Sequence, residues 1–172
     1  MRVPFEQPFV DPEIFEHPAL VEFLERAPGQ DYVWPHFDSN IPLPDTDYQR
    51  WHCDAPPTVA PGLMMPAFAV GAKFPLVDTN EENGSFEVIP CTQSIVEEDI
   101  GRNLDAVLGQ GENRRGHCDP VRLNLKKSSL WVRDGRAIHR APPIHSDHPG
   151  DLWQGLSDHA RQVLHWQRVE DA

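Results

Sequence analysis

Eighteen prolines are spread through 172 residues, about twice the ordinary share of roughly 5%. Each removes a backbone donor and fixes φ, so few stretches remain long enough for an extended helix. Short elements joined by fixed turns are therefore expected, and an all-helical bundle is disfavoured. Two segments keep a helical pattern. In DPEIFEHPALVEFLERAPG, Asp11 can cap, Pro12 fits the first helical position, and Ala27-Pro28-Gly29 ends the pattern. Pro18 interrupts it, so residues 1–30 are expected to hold one helix or two short ones. The second is SIVEEDIGRNLDAVLG, capped by Ser94 with apolar residues at Ile95, Ile100, Leu104 and Leu108.

From Asp31 onward the texture changes to short β-type runs: DYVWPHF, YQRWHCD, LMMPAFAVGAKF, SFEVIP, VRLNL, SLWVRDGRAIHR and RQVLHWQRV. Many short strands with turn residues between them indicate a sandwich or barrel. The expectation is a mainly β fold with a few flanking helices, its β core over residues 31–169, in a single domain spanning 1–172.

Charge narrows the choice of partners. Lys plus Arg total 15 against 27 for Asp plus Glu, a net charge of −12. No basic cluster awaits a polyanion, so nucleic acid and anionic membrane surfaces are poor partners. The longest apolar stretch, Leu63 to Ala72, is too short to span a bilayer and contains Pro66. Cys53, Cys91 and Cys118 give an odd count without a CxxC spacing, which disfavours a disulfide scaffold. A soluble, cytoplasmic protein acting on a small molecule is expected, and the sequence leaves its oligomeric state open.

Nine histidines are candidates for chemistry. His17, His36, His117, His148 and His159 lie among polar residues or prolines and read as solvated, and His165 alternates with Leu164 and Trp166 as a half-buried strand residue. His52 and Asp54 differ because they sit two apart in a strand-like run, where a period of two places both side chains on one face. An imidazole and a carboxylate so placed can hold adjacent positions on a metal, with His139 as the best-placed third ligand. Two histidines and one carboxylate form the facial triad of non-haem Fe(II) oxygenases, which leaves three coordination places open.

The surrounding residues resemble a known family. Gln49-Arg50-Trp51-His52-Cys53-Asp54 is similar to the Q-x-x-H-x-D motif of the phytanoyl-CoA dioxygenase-like enzymes, which use Fe(II) and 2-oxoglutarate. FPLVDTNEENGSFEVIPCT resembles that family's segment of Asn-Gly, a short strand and Pro-Gly-Ser-His, although Pro90-Cys91-Thr92-Gln93 lacks the glycine and the histidine. SSLWVRDGRAIHRAPP resembles the strand pair that delivers the second histidine, with Ala141 where the family has glycine.

The resemblance implies a double-stranded β-helix, of the jelly-roll or cupin-like kind. It implies iron held by His52, Asp54 and His139, with Gln49 beside the cosubstrate. Ser157-Asp158-His159-Ala160-Arg161 echoes the family's Ser-Asp-x-Pro-Arg pattern, so Arg161 is expected to clamp the far carboxylate of 2-oxoglutarate, with Arg140 or Arg168 as alternatives. Residues 142–160 then form an insertion or lid, carrying Trp153. Trp51, Met64, Met65, Phe68, Trp131 and Trp153 are candidates to line the substrate pocket, ordinary core being the alternative for each.

The implied reaction oxidises a C–H bond, usually by hydroxylation, with 2-oxoglutarate and dioxygen converted to succinate and carbon dioxide. Because Asp54 is present rather than Gly or Ala, hydroxylation or desaturation is favoured over halogenation. An inactive β-roll relative and a cupin-type metal hydrolase or isomerase are the competing readings. His52→Ala and Asp54→Ala are both expected to abolish iron binding with little loss of fold.

Overall fold

Pro12 and Pro18 set where helices start. Helix α1, Pro12–Phe15, opens with Asp11, whose carboxylate accepts from the Glu13 N–H at 2.9 Å. Helix α2, Pro18–Arg26, follows after two residues, so the expected N-terminal helix is two short ones broken at Pro18. Leu20 and Leu24, one turn apart, are both fully buried. The computed structural model describes residues 6–7, 11–27, 32–40, 46–55, 66–94, 119–144 and 161–168, with backbone alone for 34–36, 38–40 and 161–168. The helical pattern from Ile95 to Gly109 therefore lies outside the described residues. No helix among the described residues is long and apolar enough to cross a membrane.

Among the described residues seven strands follow in chain order: β1 Tyr32–Asn40, β2 Ala69–Pro75, β3 Phe86–Val88, β4 Val121–Leu123, β5 Trp131–Asp134, β6 His139–Arg140 and β7 Arg161–Arg168. One sheet runs β1-β7-β2-β5 and the other β4-β3-β6, with every pairing antiparallel. The fold is mainly β. The register of β1 against β7 shifts between Val33 and His36, where Pro35 has no amide hydrogen to offer the ladder. YQRWHCD, expected as a strand, contributes only an isolated antiparallel bridge between His52 and His139, because it leaves β6 after one pairing and bends at Asp54 toward the turn that follows β5.

Strand β2 explains how a site can lie inside this fold. It sits between β7 and β5, and all but one of its residues are buried. On one face Val70 and Ala72 join Leu20, Leu24 and Phe37 in the core, with Phe74 and Val132 packed against them. Phe15 meets Phe37 edge-on at 5.6 Å. The residues between, Gly71 and Lys73 on β2 and Trp131 and Arg133 on β5, turn the other way. Their neighbours there include Phe86 of β3, whose ring lies 3.8 Å from the Lys73 ammonium and 5.9 Å from the Trp131 ring. The Lys73 and Arg133 cations are thus buried on this face, where a charge is costly unless it is paired.

Candidate metal centre

His52 and His139 meet through backbone pairing. Each donates its N–H to the other's carbonyl, at 3.0 and 2.9 Å. Gln49 extends the seam: its N–H donates to the Ala141 carbonyl at 2.9 Å, and its side-chain oxygen accepts from the Ala141 N–H at 3.1 Å. Beyond His52 the chain bends, and the N–H groups of Asp54 and Ala55 both donate to the Gly135 carbonyl, at 2.9 and 3.0 Å. Gly135 makes this approach possible, since a Cβ there would fall 3.0 Å from Ala55 Cβ and 3.2 Å from the Ala69 carbonyl oxygen. On the far side of His139, Thr92 ties the strand down. Its buried hydroxyl donates to the Ile89 carbonyl at 2.7 Å and accepts from the Ile138 N–H at 2.8 Å.

The result is a cluster in which His52, Asp54 and His139 offer ligand atoms that all lie within 4.8 Å of one another. Asp54 Oδ1 is 3.8 Å from His52 Nε2 and 3.6 Å from His139 Nε2. Each imidazole Nδ1 faces a carbonyl two residues earlier in the chain, Arg50 at 2.8 Å for His52 and Ala137 at 3.0 Å for His139. A carbonyl can only accept, so Nδ1 carries the hydrogen and each Nε2 presents its lone pair. Two imidazole nitrogens and one carboxylate oxygen gathered this closely suit a divalent transition metal. The expected triad is therefore brought together, by one bridge and one bend rather than by a single strand face.

Charge around the cluster is arranged for the same end. Burial, then the Arg133 and Lys73 cations, push His139 well below the ordinary histidine range, so it is neutral. Burial alone would raise Asp54, but the cations of Arg133, first, and Lys73 outweigh it and hold the carboxyl below its usual range. The Arg133 guanidinium bonds Asp54 Oδ2 directly. Burial and the adjacent Asp54 charge raise the Cys53 thiol, which keeps it protonated and unattractive as a further ligand.

The other expected residues fall in several places. The Trp51 and Tyr48 rings both lie against the Arg140 guanidinium, at 4.2 and 4.1 Å, while Arg140 also pairs with Glu87. Glu87 is in turn held by Arg122 at 3.0 Å, forming a charged row across β4, β3 and β6. Phe68 lies 5.5 Å from the Arg136 guanidinium carbon. Trp131 is on the triad's side, 5.9 Å from the guanidinium carbon of Arg133. Arg161 and Arg168 occupy the two ends of β7, opposite Pro75 and Tyr32, and their side chains lie outside the described residues, as do Met64, Met65 and Trp153. Sequence reasoning assigned no role to Arg133, Lys73 or Gly135. The signal for the first two was a lone basic residue within an apolar strand run, GAKFP and LWVRD.

A model of the phytanoyl-CoA dioxygenase (PhyH) family matches residues 10–149. The chain belongs to the phytanoyl-CoA dioxygenase family. Ferrous iron, 2-oxoglutarate and dioxygen are this family's cofactor set, and the His52–Asp54–His139 donors fit the metal. Several solved structures are similar in fold. EvdMO1 aligns with a TM-score of 0.62 at 20% identity, over 92% of this chain and 32% of its own. AviO1 from Streptomyces viridochromogenes Tue57 aligns at 0.65 and 15%, over 97% and 65%. The epimerase SnoN, in complex with Fe3+, alpha ketoglutarate and nogalamycin RO, aligns at 0.63 and 16%, over 91% and 57%. The chain thus spans between 32% and 65% of the length of these three proteins.

Proposed function

We propose that this chain is an Fe(II)/2-oxoglutarate-dependent oxygenase that hydroxylates, or otherwise oxidises, a C–H bond of a small organic metabolite and releases succinate and carbon dioxide. We read the two antiparallel sheets as parts of a double-stranded β-helix forming one domain over 1–172. The observation that carries the function is the convergence of His52 Nε2, His139 Nε2 and Asp54 Oδ1 within 4.8 Å, with both histidine tautomers set by backbone carbonyls. Bound there, the metal supplies redox chemistry on dioxygen that no side chain can perform.

The chain's own contribution is to bind, orient and balance charge. Asp54 brings one negative charge to a site otherwise made of imidazoles and nearby cations, so a dianionic oxo acid is a fitting second ligand. Gln49, fixed to Ala141 by its amide oxygen, keeps its NH2 group for a cosubstrate oxygen, and Arg161 is the proposed clamp for the distal carboxylate. Trp131, together with Met64, Phe68, Trp51 and Trp153, is proposed to face the substrate. SnoN's bound nogalamycin RO supports a secondary metabolite as the substrate class.

The test is a screen of candidate metabolites with Fe(II) and 2-oxoglutarate, aerobic and anaerobic, read by mass spectrometry. Gain of one oxygen with succinate in equal amount supports the reading. Turnover that persists without dioxygen or 2-oxoglutarate replaces it with a cupin-type hydrolase or isomerase.

A further inference from the structure

Arg133 occupies a position where a cation needs explaining. Its side chain is only 3% exposed. It lies across β2 at Gly71, where a Cβ would stand 3.7 Å from the guanidinium carbon. Nη1 is 3.4 Å from the Asp134 carbonyl oxygen, and the buried Nε has no hydrogen-bond partner among the described residues. Nη2 reaches two members of the triad, donating to Asp54 Oδ2 and lying 3.1 Å from His139 Nε2.

These two contacts differ in how they tolerate a metal. His139 Nε2 has one lone pair, because Nδ1 carries the hydrogen facing Ala137, so a metal at Nε2 excludes the guanidinium donor from it. Asp54 has two oxygens with separate tasks. Oδ1 faces both imidazoles, at 3.8 and 3.6 Å, while Oδ2 faces Arg133. A metal on Oδ1 leaves the bond from Arg133 to Oδ2 in place. Guanidinium suits this role because it stays charged when buried and holds its donors in a fixed plane.

We propose that Arg133 is a positioning residue that restricts Asp54 to a single coordinating oxygen, Oδ1, and so preserves a coordination place that a chelating carboxylate would fill. This rests on the oxygenase reading, in which the oxo acid and dioxygen need all the places that the three protein ligands leave free.

The test uses Co(II)-loaded protein, wild type beside Arg133→Met, Arg133→Gln and Arg133→Lys. Infrared difference spectra with 13C-aspartate report the separation of the carboxylate stretches, which is wide for one-oxygen ligation and narrow for chelation. Visible absorption of Co(II) follows 2-oxoglutarate binding. The wild type is expected to show the wide separation. Arg133→Met should bind Co(II) but show the narrow one, and its 2-oxoglutarate affinity should drop roughly tenfold to hundredfold, as when other supports of metal ligands are removed. Gln and Lys, which can still donate to Oδ2, should recover most of that loss. An unchanged separation and affinity in Arg133→Met overturns the proposal. So does a narrow separation in the wild type, which needs no variant to fold. Wild-type Co(II) spectra indifferent to His52→Ala would instead sink the oxygenase reading, and this proposal with it.

Discussion

His52 and His139 stand directly opposite each other across a two-bond antiparallel bridge, with ring centroids 4.3 Å apart. The bridge has unequal partners: the His52 side chain is 40% exposed and that of His139 is 2% exposed. Two candidate ligands of the same chemical kind are therefore unequal contributors to the fold, and substitutions should separate the two roles.

His52→Ala should abolish Co(II) and Fe(II) binding while changing the stability of the metal-free protein by no more than about 0.5 kcal/mol, the usual range for an accessible side chain. Asp54→Ala should also abolish binding but destabilise the metal-free protein by about 3–5 kcal/mol, because it strands the buried Arg133 cation. This departs from the expectation that both variants would leave the fold nearly intact. Urea titrations of the two variants check it, and equal midpoints would contradict the compensation of the buried Arg133 cation by Asp54.

Acid should weaken the metal-free protein earlier than carboxylate titration alone would. His139 is held neutral by burial and by Arg133 and Lys73, so its folded pKa lies below the unfolded value of about 6.5. Its contribution is present above that value and declines as pH falls below it, at up to about 1.4 kcal/mol per pH unit. Asp54, depressed in the same site, adds a loss only below about pH 4. Denaturation midpoints between pH 7.5 and 5 should slope downward in the wild type, and His139→Gln should remove most of that slope.

Cys91 adopts φ +64° and is exposed, in the turn where the family carries glycine. The left-handed region costs an L-residue about 1–2 kcal/mol, and glycine's greater freedom in the unfolded chain offsets about 0.5–1 kcal/mol. Cys91→Gly should therefore raise stability by about 0.5–1 kcal/mol, whereas Cys91→Val should lower it. Paired thermal melts would show both signs.

Gly135→Ala should act on the metal site at a distance. Its new Cβ would press on Ala55 and on the Ala69 carbonyl, displacing the backbone that fixes Asp54. A stability loss of about 1–3 kcal/mol is expected from such overpacking. Co(II) titration should show weakened affinity, and an affinity equal to wild type would mean that Asp54 is positioned independently of this turn.

Parts of the molecule were legible because local chemistry decides them. Asp11, Pro12 and Pro18 mark helix starts whatever surrounds them. The β-rich runs around Val70, Phe86, Val121 and Trp131 became strands because β-branched and aromatic residues suit a pleated, half-buried surface. His52, Asp54 and His139 could be selected because H-x-D, a common pair by itself, stands in order with two further segments resembling one family whose ligand set is two histidines and a carboxylate. The strand assignment for YQRWHCD failed for a reason no local pattern contains. Its hydrogen-bond partners are Gly135, His139 and Ala141, residues brought to it by the β5–β6 turn and the strand after it.

What the sequence determined by itself was therefore the kind of elements and the identity of the three candidate ligands, since propensity, proline placement and donor chemistry are properties of residues and their near neighbours. The tertiary structure alone decided that Arg133 would lie against Asp54 and His139, that Gly71 would leave room for its guanidinium, and that Gly135 would admit the Asp54 backbone. Those relationships depend on the register of β2 against β5 and on the bridge between His52 and His139. Register is set by the burial of whole faces, and it becomes visible only when both partners are in place.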